Sequence, residues 1–354
     1  MKKRIIYLDY LRVVAIISVI ILHVAAQNWY NLDGQSIEWN IFNFYDGIVR
    51  WGVPIFVMIS GSLFLSKKIE TKSIYIKNIL KLVIVYFMWS IFYGIFVPID
   101  KFIMIIEGEI SYKIIITNII EGCYHMWFIP MIIGLYMCIP IIKQIIKAKS
   151  IMKYFMRLSL VFSFVIPQIV WFSNDFIGGF FTEIINNINN VISNMNLHLV
   201  LGFTFYFILG YILNNINLKK HQRNIIYILG TIGFASTILL NAIVAWKTNQ
   251  PCLTYYDNFS VNVLLESIAI HTFFKYKIFN CKKLNTIIYK LSKYSFGAYL
   301  SHVFVIEALQ SLGLNTMLFS PVISVPIISF ITIFISYIIS LILNKIPKIN
   351  RWIV

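Results

Sequence analysis

Apolar runs of about 16–23 residues recur along this chain from one end to the other, and no other feature limits its fold so strongly. At about 1.5 Å per helical residue, a run of that length matches roughly 30 Å of hydrocarbon. The runs are Leu8–Ala26, Ile48–Leu65, Ile79–Val97, Met126–Ile142, Tyr154–Trp171, His198–Leu213, Ile225–Ala245, Phe259–Phe274, Tyr294–Leu309 and Pro321–Leu343. They predict an all-α, polytopic integral membrane protein of about ten transmembrane helices. The eighth run is short and is interrupted by Glu266 and His271, which read as structural. The segment Ile99–Glu121 is mixed and fits an interfacial or re-entrant helix. Ile185–Asn196 is an Asn-rich loop.

Charge orients these spans. Only 12% of the 354 residues are charged, too few for a soluble domain, yet the net charge is +16. Of the 30 basic residues, 25 fall in the N-terminus, the tail and every second connecting loop. The opposite loops are acidic or neutral, with Asp33, Glu38, Asp46, Glu107, Glu109, Glu121, Asp175 and Asp257 among them. Lys and Arg mark cytoplasmic loops, so both termini are expected in the cytoplasm. This distribution argues against a nucleic-acid partner and for membrane lipids. The whole of residues 1–354 reads as a single transmembrane domain with no separate soluble domain. No internal repeat is visible, which weighs against a transporter built from duplicated halves. Cys123, Cys138, Cys252 and Cys281 show no metal-binding spacing, and ordinary unpaired thiols are expected rather than a Cys123–Cys252 bridge. Lys2-Lys3-Arg4 followed by an apolar run resembles a signal peptide, but Asp9 and Arg12 fit that reading poorly.

The first run, LDYLRVVAIISVIILHVAA, carries Asp9, Arg12 and His23 into an apolar segment. Ionisable groups inside a span are costly and mark function. Eleven helical steps separate Arg12 from His23, so both point to nearly the same side, roughly 16 Å apart along the axis. Asp9 is three residues before Arg12, within ion-pairing reach. With the spans oriented, Asp9 and Arg12 fall toward the cytoplasm, and His23, Arg50, His125 and Glu307 toward the outer face, with His302 near mid-depth. Gly52, Pro54 and Ser60-Gly61 form a small-residue, helix-breaking stretch that suits close packing and substrate approach equally. Trp127 beside His125 suits an interfacial belt as well as a site. An imidazole near the outer face can act as a general base on a hydroxyl, and an arginine below it can clamp phosphate. A donor with phosphates at one end and a reactive acyl group on a long arm has the matching shape, as acyl-CoA does.

Four stretches also resemble the acyltransferase type 3 family of integral-membrane O-acyltransferases. They are LDYLRVVAIISVIILH, with its Arg, ten residues, His pattern; RWGVPIFVMISGSLF from Arg50; HMWFIPMIIGLYMCIPI from His125; and YSFGAYLSHVFVIE from Tyr294. The resemblance implies transfer of an acyl group, usually acetyl, from acetyl-CoA to a sugar hydroxyl of a cell-envelope polysaccharide, glycolipid or lipid-linked precursor. It implies a bacterial cytoplasmic membrane location and no metal. By the same likeness, His23 is the catalytic histidine, with Arg12 as its motif partner and Asp9 beside it. Arg50, Ser60, His125, Trp127, His302 and Glu307 are expected to bind donor or acceptor. Many relatives carry an extra extracytoplasmic hydrolase-like domain; this chain does not, so it acylates the acceptor itself or hands the group to a glycan-synthesis partner or a second copy. The rival readings are a transporter or flippase of a glycan or lipid-linked sugar, and a sensor module.

Overall fold

The computed structural model describes residues 4–67, 71–96, 112–197 and 201–347. Lys2, Lys3, the first part of the mixed segment, the start of the sixth run at His198, and the tail with Lys348 and Arg351 lie outside them. Among the described residues the chain is entirely helical. The longer helices are α1 (Ile6–Ala25), α2 (Ile37–Gly47), α3 (Gly52–Leu65), α4 (Leu80–Phe96), α5 (Tyr112–Glu121), α6 (Phe128–Met137), α7 (Ile139–Lys147), α8 (Lys149–Leu160), α9 (Ile166–Phe172), α10 (Gly179–Ser193), α11 (Gly202–Asn215), α12 (Lys220–Thr248), α13 (Val261–Tyr276), α14 (Lys282–Ser311) and α15 (Pro321–Lys345).

Local chemistry sets several helix ends. The Ser36 and Ser260 hydroxyls accept the backbone N–H groups of Trp39 and Val263, capping α2 and α13. Asn249 takes a left-handed conformation, φ 56°, to end α12. Pro321 opens α15, where its missing N–H costs nothing.

Among the described residues, six helical stretches are long and apolar enough to cross a membrane: Ile6–Asn31, Ile37–Leu65, Lys72–Phe96, Lys149–Ile177, Lys220–Thr248 and Pro321–Lys345. The pair Lys113–Glu121 and Tyr124–Met137 passes only when taken together and is bent by 42°, the geometry of a broken span or a re-entrant loop. The chain is therefore a multi-pass membrane protein. Some of the ten expected runs fall short of this length and composition. The helices α11 and α13 have 14 and 16 residues, shorter than the roughly 20 that a perpendicular span needs. The first half of α14 carries Lys282, Lys283, Lys290 and Lys293.

The chain divides into two compact units. The first is Met1–Asn28, Lys68–Cys138 and Phe279–Val354; the second is Trp29–Lys67 and Ile139–Ile278. In the first, α1 packs along α14, and both pack against α15. Contacts between Tyr10 and Asn285, Arg12 and Ser292, and His23 and His302 advance together along both chains, so α1 and α14 run parallel. Opposed hydrogen bonding, Ser301 to Ser336 and Ser340 to Tyr294, makes α15 antiparallel to α14. The parallel pair matches the shared direction expected for the first and ninth runs.

In the second unit α3 and α11 cross at Gly61 and Gly210. A Cβ on Gly61 would lie 1.7 Å from the Phe207 carbonyl oxygen, and one on Gly210 2.0 Å from that of Met58. Ser62 reinforces the crossing by donating to the Gly210 carbonyl at 2.8 Å. Close packing is therefore the role of Gly61. A buried polar seam joins α12 to α13. Glu266 is bonded to the Thr237 hydroxyl, while Asn262 donates to Thr237 Oγ1 and to the Tyr255 carbonyl, each at 2.7 Å. Side-chain bonds of this kind hold helices together in lipid, which is the structural part expected of Glu266.

Candidate active site

The first unit gathers three of the expected site histidines. His23, in the last turn of α1, faces His302 on α14, with His302 Nε2 2.9 Å from His23 Nδ1. The ring of His125 sits 5.0 Å from that of His302 and 6.4 Å from that of His23, centroid to centroid. Tyr124 closes on His23 at 5.6 Å. His125 and His302 are buried, and His23 is half-buried. Among the described residues no set of three or more His, Cys, Asp or Glu side chains is placed to ligate a metal.

Three tyrosines absent from the expected site hold this cluster in place. The Tyr299 hydroxyl donates to the His125 carbonyl at 2.5 Å, and the Tyr299 carbonyl accepts from His302 Nδ1, also at 2.5 Å. One residue of α14 thus fixes both the backbone at His125 and the ring of His302. Tyr93 of α4 donates its hydroxyl proton to the Leu300 carbonyl at 2.7 Å and accepts from the Phe304 N–H at 3.2 Å. Those backbone groups are four residues apart, the pair that an α-helix bonds directly. The Tyr93 hydroxyl therefore bridges the turn of α14 that carries His302. Tyr86, seven residues earlier, donates to the Glu121 carbonyl at 2.5 Å. There α5 ends on Gly122, whose φ of 74° suits glycine, and the chain turns into the segment bearing Tyr124 and His125.

Near the start of α1 the expected pair is rearranged. Asp9 does not bond Arg12 directly. It accepts from Arg4 Nε at 2.5 Å and from the Ser292 hydroxyl at 2.9 Å. Arg12 donates to the same Ser292 Oγ at 3.2 Å. Arg4 also lies over the Tyr289 ring, 4.0 Å from its centroid. The correction is physical: Arg4 reaches forward along the helix and takes the carboxylate, leaving Ser292 to couple Asp9 to Arg12. Of the five N–H groups that a guanidinium carries, this contact uses one.

The remaining expected residues are placed as follows. Arg50 lies in the second unit, ion-paired with Asp46 four residues earlier and 4.0 Å over the Tyr256 ring. Tyr256 in turn bonds Asn43 Oδ1. Ser60 is on α3 in the same unit, beside the glycine crossing. Trp127 is 43% exposed in the first unit. Glu307, five residues after His302, is near enough for its charge to act on Tyr124. None of the four cysteines is in a disulfide, and burial pushes the Cys252 thiol up, away from reactivity.

An imidazole pair thus lies at one end of two parallel membrane helices, and a guanidinium bonded to Ser292 at the other. Comparison with family models finds a match: a model described as an acyltransferase domain, that of the acyltransferase 3 family, matches residues 5–341. The chain belongs to this family and is a membrane acyltransferase. No curated protein and no solved structure matches it.

Proposed function

We propose that the chain is an O-acyltransferase that moves an acetyl or other short acyl group from cytoplasmic acyl-CoA to a sugar hydroxyl of a bacterial envelope polysaccharide, glycolipid or lipid-linked precursor. One observation carries the reading: His23 meets His302 at one end of the α1–α14 pair, and Arg12 meets Ser292 at the other. The two contacts are roughly 16 Å apart along α1. A coenzyme whose phosphates engage Arg12 has an arm long enough to bring its thioester to His23.

In the transfer, the acceptor oxygen attacks the thioester carbonyl carbon while its proton passes to His23. The C–O bond forms, the C–S bond breaks, and the leaving thiolate takes the proton back from His23. The net change is alcohol plus thioester to ester plus thiol, with no other reactant. A positioned general base contributes about 10²–10⁴-fold. Buried His125 and Tyr93 pack behind the imidazole pair and limit water access from that side. For Arg50, Ser60, Trp127 and Glu307 the motif resemblance alone suggests a part in binding donor or acceptor.

The test is envelope-bound acetate in cells carrying His23→Ala at unchanged protein level. The reading expects the ester to disappear, and undiminished O-acetylation rejects it.

A further inference from the structure

The contacts of His302 constrain where the protons lie. The Tyr299 carbonyl oxygen can only accept, so His302 Nδ1, 2.5 Å away, carries the hydrogen. A neutral imidazole has one N–H, which leaves Nε2 of His302 as an acceptor. His23 Nδ1, 2.9 Å from it, then has to be the donor. With its hydrogen on Nδ1, neutral His23 carries its lone pair on Nε2. The titratable groups around the pair include His125 and Tyr124 from the segment after α5 and Tyr299 from α14, with Glu307 acting on Tyr124.

We propose that His302 is a positioning residue, and that with the Tyr299 carbonyl it fixes the tautomer of His23 so that Nε2 of His23 takes the acceptor's proton. The proposal rests on the function given above for His23. It assigns a second imidazole and a backbone carbonyl to the task that a carboxylate performs in a Ser-His-Asp triad: holding the base in one tautomer and orientation. When His23 gains the proton, its Nδ1–H continues to donate to His302, and the charge is spread along a chain ending at Tyr299. The proton goes no further than His23 and returns from Nε2 to the thiolate. A His302 charged on both nitrogens would reverse the order. It would donate to His23 Nδ1, put the hydrogen of His23 on Nε2, and block the base.

The experiment has two arms. The first is ¹⁵N NMR of the full-length protein, histidine-labelled and held in lipid nanodiscs, with signals assigned through His23→Gln and His302→Gln. The expected result is a hydrogen on Nδ1 of both residues; a hydrogen on Nε2 of His23 overturns the proposal. This arm needs no turnover, so it stays decisive if the protein proves inert toward acyl-CoA and the proposed function falls instead. The second arm is kinetic. Gln at 302 presents its amide oxygen where His302 Nε2 lies, and is expected to retain kcat within about tenfold, whereas His302→Leu loses about 10²–10⁴-fold, the range of a disabled base. KM for acetyl-CoA is expected to stay within about threefold in both, since neither touches the donor under this account. A rise in KM with kcat preserved in His302→Leu overturns the proposal in favour of donor binding. Loss in His302→Gln as deep as in His23→Ala overturns it in favour of direct chemistry at His302.

Discussion

Removing one hydroxyl, Tyr93→Phe, probes how firmly the fold holds the imidazole pair. Tyr93 is buried, and its oxygen makes two bonds to α14, one to the Leu300 carbonyl and one from the Phe304 N–H. Hydrogen bonds between helices in lipid measure about 0.6 kcal/mol on average and up to about 1.7 kcal/mol, so losing both costs about 1–3 kcal/mol. Part of that returns if the two backbone groups close on each other at the usual separation of about 2.9 Å. Closure, however, moves the turn bearing His302 by on the order of an ångström, and a shift of that size can cost about 100-fold in rate. The variant is therefore expected to remain folded, with stability lowered by no more than about 3 kcal/mol in mixed micelles. Its kcat for acyl transfer is expected to fall about 10–100-fold with little change in KM. Wild-type kcat with the same loss of stability would refute the reasoning, because it would show that the bridge supports the helix without holding His302.

Other expectations follow from the remaining contacts. Ser292→Ala removes the hydroxyl that couples Asp9 to Arg12, and a hydrogen bond to a charged group is worth about 1.5–3 kcal/mol, so KM for acetyl-CoA should rise about tenfold or more, with kcat changing less; an unchanged KM would separate Arg12 from the donor. Gly61→Ala forces its new Cβ against the Phe207 carbonyl, so α3 and α11 must part by more than an ångström, and thermal stability in detergent should fall sharply while Gly134→Ala, which meets no atom within 4 Å, changes little. In intact cells an impermeant maleimide should label Cys123 and spare Cys281, as the charge-derived orientation requires, and labelling of Cys281 alone would invert the topology.

Much of this site could be read in the chain because its main residues are ionisable groups in apolar surroundings, where chance rarely leaves them. His23, His302 and His125 were visible for that reason. So was the common stripe of Arg12 and His23, since helical geometry alone fixes it. The pairing of His23 with His302 across 279 positions was not readable. Nor was the use of Tyr93, because a hydroxyl inserted into another helix's backbone leaves no periodic trace. Tyr299 offered a fainter signal, lying three residues before His302 on the same face. The Asp9–Arg12 pair was over-read: spacing put them within reach, but Arg4 and Ser292 compete for the same carboxylate. For Arg50 the missing partner was Asp46, four residues earlier, a spacing that points to an ion pair once the turn after α2 is known to hold a helix-like course from Asp46 to Arg50. Fewer helices than runs are long and apolar enough to count as spans because α11 and α13 are short and the first half of α14 is rich in lysine.

The central claim is most directly tested with labelled acetyl-CoA and the purified protein in proteoliposomes. The account predicts consumption of the thioester by the wild-type chain and its reduction by at least about 100-fold in His23→Ala. A wild-type protein that leaves acetyl-CoA intact while carrying a lipid-linked sugar across the bilayer would contradict it.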